Sequence, residues 1–186
     1  MLNKIGLLTI ALSTVLTVTV SAKAAPAGKY FDRAIFVLFE NTNYADAWKQ
    51  PFFKQLSDKG AHFFNLVALT HPSQGNYIAL TSGSLNGVSG NGKYDLNVDN
   101  IADLLDARGI TWKVYAEGFP GNCFTGTSSG GYARKHNPFI SYVNIQRNPG
   151  RCANIVDASQ FDQDAANGTL PHYVFYVPNN KNSGHD

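Results

Sequence analysis

The sequence predicts an α/β fold in which helices flank a mostly parallel β-sheet. Two continuous apolar runs, residues 34–39 (AIFVLF) and 173–177 (YVFYV), are typical of strands buried on both faces, as in a parallel sheet. Between them, residues 52–59 and 101–108 have helical spacing, and each segment is followed by a further strand candidate. Strand, helix and strand in succession require crossover connections, which define an α/β architecture.

The ends of the two helices are marked by residues that favour helix termini. Each helix closes on a glycine, Gly60 or Gly109, at the C′ position that helix ends favour. The second helix can be capped at its start by Asn100 or by Asp99, since either side chain can accept a hydrogen bond from the first turn.

Two further strands are expected directly after these helices, at residues 62–67 and 111–116. His62 and His172 open strand candidates, and we interpret both as structural residues. Residues 118–152 are rich in Gly, Ser, Asn and Pro and contain both cysteines. We expect a long irregular excursion there, with little regular structure, and such excursions are usually functional.

Length and composition indicate a single folded domain. The chain has 186 residues, of which 44% are hydrophobic and 12% aromatic, so it can bury a core and is not disordered. Only 15% of the residues are charged, and no basic or acidic block occurs. Neither nucleic acid nor an anionic membrane surface is therefore an expected partner.

Residues 1–24 are predicted to be a signal peptide. Lys4 supplies a positive charge, residues 5–20 are uncharged and mostly apolar, and cleavage is expected after Ala24 or Ala22. A membrane anchor is the alternative, but sixteen residues rich in Thr and Ser are short for a span of about 20 residues. We therefore expect a secreted protein, extracellular or, in a bacterium, periplasmic, with 13 basic and 13 acidic residues after cleavage.

The two cysteines, Cys123 and Cys152, both lie in the part of the chain that is expected to be exported. An oxidising compartment favours a single disulfide between them, and two unpaired thiols are the alternative. In the chain-entropy model, closing a loop of this length stabilises the fold by roughly 3–4 kcal/mol.

Glu40 and Asn41 directly follow the first apolar run. In an open α/β sheet, ligands gather at the carboxyl ends of the strands, so this position is a candidate binding site. A carboxylate beside a carboxamide offers two hard oxygen ligands, which suits a divalent cation. Taken alone, such a pair is more often an ordinary turn.

Ser73 lies in the segment HPSQGNY, residues 71–77, ahead of the short apolar stretch 78–80. It is expected at a helix N-terminus, where unpaired N–H groups and the helix dipole favour an anion such as a phosphoryl group. Ser73 is therefore a candidate nucleophile, with a metal ion lowering the pKa of its hydroxyl. The alternative is that Ser73 only caps the helix.

Two further histidines are candidates for chemistry. His136 lies within RKHNP in the loop-rich region, and His185 lies within NSGHD, after the second apolar run. Imidazole groups in such positions can donate hydrogen bonds to phosphate oxygens, bind a metal ion or protonate a leaving group.

Four segments resemble, in the same order, motifs of the secreted phosphoesterase family that contains acid phosphatases and phosphatidylcholine-type phospholipases C. The family is a branch of the alkaline phosphatase superfamily, so the resemblance implies an alkaline-phosphatase-like sheet flanked by helices. It extends over residues 33–186, nearly the whole mature chain. The segments are FVLFENTNY (36–44), HPSQGNY (71–77), KHNPFISY (135–142) and VPNNKNSGHD (177–186).

The resemblance implies a metal-dependent phosphoesterase. Glu40, Asn41 and Ser73 would bind a divalent metal ion, and Ser73 would form a phosphoserine intermediate. Hydrolysis of phosphate monoesters, with a small phosphorylated molecule as substrate, is the function expected first. Phospholipase C action on lipid headgroups ranks below it, because no amphipathic basic helix or exposed apolar run indicates a membrane-docking face. Stable membrane insertion is not expected.

The same resemblance implies residues that contact the substrate. Asn76, His136 and His185 would bind it, and the two histidines would contact the phosphoryl oxygens or the leaving group during catalysis. Asp186 is an uncertain further member of the site.

Two residues and the length depart from the family pattern. Gly75 stands where many relatives have proline, and Asn182 stands where they have aspartate. The family fold also continues past the last motif to a late acidic pair that completes the metal site, whereas this chain stops at Asp186. Residues 25–186 are thus expected to be the amino-terminal part of a larger phosphoesterase domain, as a fragment, a truncated gene model or a degenerate paralogue. A non-catalytic remnant with weak phosphate binding is the alternative function, because too few metal ligands remain.

Overall fold

The computed structural model describes residues 30–184. Its main sheet has four parallel strands in the order β1-β6-β2-β5, and a small antiparallel hairpin pairs β3 with β4. The predicted α/β class with a mostly parallel sheet is confirmed. The strands are β1 (Ala34–Val37), β2 (Trp112–Ala116), β3 (Ser128–Ser129), β4 (Tyr132–Ala133), β5 (Ile155–Asp157) and β6 (Tyr173–Val177).

Helices connect the strands and also occupy the irregular segments of the described chain. Those predicted at 52–59 and 101–108 are confirmed to within one residue at each end. The helices are α1 (Tyr44–Lys49), α2 (Pro51–Lys59), α3 (Gln74–Ser82), α4 (Ile101–Ala107), α5 (Val143–Gln146), α6 (Pro149–Cys152) and α7 (Ser159–Ala166), with 3-10 turns at Arg134–His136 and Phe139–Ser141.

Strand β6 lies inside the sheet, between β1 and β2, and contributes side chains to both faces. On one face, Phe175 belongs to the main core together with Val114 and Phe139. On the other face, Val174 packs in a smaller cluster with Tyr115. All five side chains are fully buried, which explains why the β6 sequence is apolar at every position.

The helix ends follow the predicted caps, with one difference. Asn100, and not Asp99, caps α4. Its side chain accepts a hydrogen bond from the first turn, and the Asp103 side chain accepts one from the Asn100 amide, which completes a capping box. Gly109 adopts a left-handed φ of 66° after α4, as expected for a C′ glycine. Gly60 is instead extended, with φ −136°, so its position at the end of α2 does not depend on a left-handed backbone.

The strand predicted at residues 62–67 is wrong, because this segment is an irregular loop. Its apolar composition suggested a strand, but a strand also needs a neighbour for hydrogen bonding, and no described strand pairs with it. Phe63, Phe64, Leu66 and Val67 are between 76% and 84% exposed. The expectation that the chain has no exposed apolar run is therefore also wrong.

The two histidines interpreted as structural lie outside the site described below. His172 precedes β6, and its Nδ1 lies 2.8 Å from the Thr111 hydroxyl. His62 stacks on Trp48, with 4.5 Å between the ring centroids. Both side chains thus have local packing roles.

Residues 118–152 contain more regular structure than expected. The hairpin β3–β4, both 3-10 turns and helices α5 and α6 all fall within this segment. None of these elements exceeds four residues, so they carry no periodic signal, and tertiary contacts hold them. The buried Arg134 guanidinium, for example, donates to the carbonyls of Thr125 and Tyr94 and pairs with Asp95 at 2.8 Å.

The predicted disulfide is confirmed. Cys123 and Cys152 are bonded, with 5.6 Å between their Cα atoms, so the bridge ties the segment before β3 to helix α6. The predicted signal peptide, residues 1–24, lies outside the described residues. Within residues 30–184, no helix is long and apolar enough to cross a membrane.

Candidate active site

Glu40 is placed by the end of β1 and by the loop that follows β6. It comes three residues after the last residue of β1, and its amide donates to the Ser183 carbonyl at 2.7 Å. Asn41, the next residue, is exposed and has a left-handed φ of 68°, so the chain turns sharply there. The carboxyl ends of the parallel strands therefore carry the first predicted site residues, as the topology requires.

Glu40 and His136 are brought together although they are distant in sequence. Glu40 Oε1 lies 2.5 Å from His136 Nε2, and the two side chains are 13% and 2% exposed. The two atoms are as close as in an ion pair, but their relative orientation does not satisfy hydrogen-bond geometry. His136 Nδ1 also has no hydrogen-bond partner among the described residues. The site thus holds buried polar atoms with unused bonding capacity.

The environment of Glu40 keeps its side chain ionised. Burial alone would raise the pKa of this carboxyl, but the adjacent His136 and Ser73 side chains and the nearby charge of Lys135 outweigh burial, and the pKa lies below its ordinary value. A negative charge is therefore held beside the Ser73 hydroxyl. The sequence had indicated no role for Lys135.

Ser73 occupies the N-cap position of α3, as predicted. Its side chain makes no capping hydrogen bond, and the hydroxyl lies close enough to Glu40 to lower the pKa of that carboxyl. The amide of Gln74 is satisfied by the Asn91 side chain at 3.1 Å. Because the Asn91 side chain already accepts a hydrogen bond from the first turn of α3, the Ser73 hydroxyl is not needed as a cap and is available to react.

Asn76 holds the turn that precedes Ser73. Its side-chain oxygen accepts from the amides of Leu69 and Thr70 at 2.9 and 3.1 Å, and its side-chain nitrogen donates to the Thr70 carbonyl at 2.7 Å. These contacts leave one amide hydrogen of Asn76 for the substrate contact predicted for it.

Tyr77 supports the histidine and was not singled out from the sequence. Its ring stacks on His136 with 5.1 Å between centroids, and it is only 4% exposed. Burial, and to a lesser degree the negative charge of Glu40, raises the pKa of its hydroxyl, so Tyr77 stays neutral. The clue in the sequence was its position four residues after Ser73, one helical turn away.

Glu117 is a second strand-end carboxylate that the sequence analysis missed. It directly follows β2, just as Glu40 follows the first apolar run, so the same rule could have identified it. The Asn182 side chain donates to Glu117 Oε2 at 2.8 Å. His185 and Asp186, the remaining predicted site residues, lie outside the described residues.

The described residues offer few donors for a divalent cation. No group of three or more His, Cys, Asp and Glu side chains within residues 30–184 could hold a metal ion. The Glu40 carboxylate and the Ser73 hydroxyl are nevertheless adjacent, and Glu40 Oε1 is buried without a hydrogen bond. Hard oxygen donors of this kind fit a divalent cation, but they form only one side of its coordination shell.

The described chain places a serine and a buried carboxylate at the carboxyl end of a parallel sheet, where α/β folds bind their ligands. Comparison with known proteins identifies the family. Residues 31–186 match the model of the Phosphoesterase family, and the chain belongs to this family.

Several phosphatases are similar to the chain. A probable acid phosphatase of Kluyveromyces lactis is 39% identical over 168 residues, covering 86% of this chain and 40% of the relative. An acid phosphatase of Aspergillus fumigatus is 36% identical over 168 residues, covering 86% and 38%. A phosphatidylinositol-3-phosphatase of Mycobacterium tuberculosis is 32% identical over 169 residues, covering 88% and 54%. The chain thus spans about 40% of the length of the fungal relatives.

Proposed function

We propose that the chain is part of a secreted phosphoesterase that hydrolyses phosphate monoesters through a phosphoserine on Ser73. The observation that carries the proposal is the Ser73 hydroxyl at the N-terminus of α3, close to the charged Glu40. The names of the fungal relatives, acid phosphatases, support the reaction class. The signal-like sequence of residues 1–24 supports export.

In the proposed reaction, the Ser73 oxygen attacks phosphorus while the bond from phosphorus to the ester oxygen breaks. The departing alkoxide takes up a proton, and water then cleaves the phosphoserine to release phosphate. The N-terminus of α3 stabilises the negative charge on the phosphoryl oxygens. His136, which stacks on Tyr77 and lies beside Glu40, would donate to one of those oxygens.

A divalent cation is the proposed cofactor. Glu40, Asn41 and Ser73 would hold it, and their oxygens suit a hard cation. When bound, the ion would lower the pKa of the Ser73 hydroxyl and neutralise phosphoryl charge. Because three donors are fewer than the usual six, other ligands have to complete the shell.

Replacing Ser73 with alanine tests the proposed nucleophile. We expect Ser73→Ala to abolish phosphate release from an aryl phosphate, because no other oxygen replaces the nucleophile, with a loss of at least about 10³-fold. Ser89→Ala, at an exposed position in the loop after α3, is the matched control and should retain full turnover. Undiminished turnover in Ser73→Ala, with unchanged circular dichroism, would reject the assignment.

A lipid phosphoester is the second candidate substrate. Two observations favour it: the exposed apolar loop 62–67, which offers a surface for contact with lipid, and the name of the Mycobacterium relative, a phosphatidylinositol-3-phosphatase. Turnover of phosphatidylinositol 3-phosphate in vesicles, compared with the aryl phosphate, distinguishes the two substrate classes.

A non-catalytic remnant is the third candidate, and the small number of metal donors favours it. The metal content of the purified chain separates this candidate from both enzymes. A stoichiometric cation that a chelator removes together with activity supports an enzyme, whereas no cation and no turnover supports the remnant.

A further inference from the structure

Glu117 uses both of its carboxylate oxygens to bind the segment that follows β6. Oε1 accepts from the Tyr176 hydroxyl at 2.9 Å, and Oε2 accepts from the Asn179 amide at 2.9 Å and from the Asn182 side chain at 2.8 Å. The Glu117 amide also donates to the Val177 carbonyl at 3.0 Å. Glu117 therefore fixes where residues 178–184, here called the β6 loop, leave the sheet.

The β6 loop has its own internal hydrogen bonds. The Asn179 side-chain oxygen accepts from the amides of Lys181 and Asn182 at 2.9 and 3.0 Å. The Asn179 carbonyl accepts from the Ser183 amide at 2.9 Å. A displacement of Asn179 would thus move the whole loop.

The far end of the β6 loop supports Glu40. The Ser183 carbonyl accepts from the Glu40 amide at 2.7 Å, and Ser183 is only 1% exposed. Glu40 is the residue whose carboxylate contacts His136 and the Ser73 hydroxyl. An unbroken series of contacts therefore runs from Glu117 through the loop to the candidate site.

We propose that Glu117 is a positioning residue of the candidate active site, holding Glu40 in place through the β6 loop. The proposal rests on the proposed function for its effect on turnover, although the contacts themselves can be tested without activity. The hydrogen bonds of Glu117 go to Tyr176, Val177, Asn179 and Asn182, so it would act on the site through the β6 loop.

The pairing of Glu117 with Asn182 gives the proposal a specific chemical form. The Asn182 amide donates to Glu117 Oε2 at 2.8 Å, whereas an aspartate at position 182 would put two carboxylates within hydrogen-bonding distance of each other. In this chain, therefore, Asn182 supplies a hydrogen-bond donor to the Glu117 carboxylate.

Hydrogen exchange of the purified full chain tests the positioning directly. We expect Glu117→Ala to speed exchange of the amides of Asn179, Ser183 and Glu40, because their hydrogen-bonded arrangement loses its anchor. Asp157→Ala is the matched control. Asp157 is also a strand-end carboxylate, but it accepts from the amides of Gly118 and Ser159, so the β6 loop should stay protected.

Activity provides the second readout. Glu117→Ala should lower kcat for the aryl phosphate about 10- to 100-fold, as supporting residues of metal sites do, with a smaller change in KM. Asn182→Asp should give the same exchange pattern, because an aspartate at position 182 has no N–H group to donate to Glu117 Oε2.

The outcomes distinguish this proposal from the proposed function. Unchanged exchange at Glu40 in a folded Glu117→Ala overturns the positioning role whatever the activity. If Glu117→Ala does not fold, exchange at Glu40 in Asn182→Asp gives the same decision. Faster exchange at Glu40 with Ser73→Ala fully active would instead retain the positioning and reject the phosphoserine mechanism.

Discussion

Gly75 shows at the scale of one residue how the turn that carries Ser73 is packed. A Cβ atom at this position would lie 2.8 Å from the Thr70 methyl, 3.2 Å from the Val88 carbonyl oxygen and 3.3 Å from a Leu85 methyl. Helix α3 therefore needs glycine in its first turn, although glycine is an unfavourable helix residue. Close packing of α3 against the loops before and after it accounts for the glycine at position 75.

We expect Gly75→Ala to destabilise the protein by about 1–3 kcal/mol, the usual cost of overpacking. The gain in helix propensity, about 1 kcal/mol, is too small to offset a contact with a backbone oxygen. Gly60→Ala is the control, because its Cβ would meet only the Leu56 carbonyl at an ordinary 3.5 Å. Urea unfolding measures both changes, and equal stability of the two variants would contradict this account.

At the scale of elements, Asp103 connects α4 to α5 and α6. Its carboxylate accepts from the Asn100 amide at 2.9 Å, from the Asn144 side chain at 2.9 and 3.0 Å, and from Arg151 at 2.7 Å. Burial raises the pKa of Asp103, but these hydrogen bonds and the charge of Arg151 outweigh it, and the pKa is lowered overall. The ionised form is therefore the one that stabilises this packing.

The lowered pKa of Asp103 predicts a pH dependence of stability. A carboxyl with a lowered pKa in the folded state stabilises the protein above its unfolded pKa of about 3.9, and the stabilisation is lost as the pH falls through the folded value. Asp103→Asn should therefore cost about 1–3 kcal/mol at neutral pH and reduce the loss of stability on acidification below about pH 4.

Urea unfolding between pH 2 and 7 measures the effect. Asp58→Asn is the control, because the Asp58 side chain is 60% exposed in a surface pair with Lys54 and such pairs contribute little. An Asp103→Asn variant with the same acid dependence as the unmodified chain would show that the carboxylate does not stabilise the helix packing.

Elements with a local signal could be predicted, and elements fixed by distant contacts could not. The apolar run of β6 identifies a buried strand because both faces of the sheet are covered, and Asn100 and Gly109 mark the ends of α4. Segment 62–67 has the same apolar character but no strand beside it in the described chain, so the strand predicted there from composition alone is wrong. The short elements within 118–152 depend on the buried Arg134, which no periodic pattern reveals.

Part of the candidate site could likewise be predicted from the sequence. Glu40 and Ser73 follow from their places at a strand end and at a helix start, and the structure brings His136 beside Glu40. Tyr77 and Glu117 were missed because their roles are to hold other residues. Such contacts join residues that are distant in sequence, for example Glu117 and Asn182, and only the fold shows them.

At the scale of the whole molecule, the described chain has one well-packed side and one open side. Strands β2 and β6 are covered, but β1 lies at the sheet edge, and Ile35, Phe36 and Val37 are 47%, 37% and 44% exposed. The apolar residues of loop 62–67 add to this surface. A parallel edge strand with exposed apolar side chains is prone to associate with other polypeptides.

We expect the chain to self-associate through this surface as its concentration rises, because burying exposed apolar groups is favourable. Replacing Phe63 and Leu66 together with lysine should shift the population toward monomer, since a charged loop resists burial. Leu104→Lys is the control: Leu104 is 55% exposed but lies on α4, away from the loop in sequence. Sedimentation equilibrium measures the masses, and a monomer at every concentration, or an equal effect of Leu104→Lys, would contradict association through this surface.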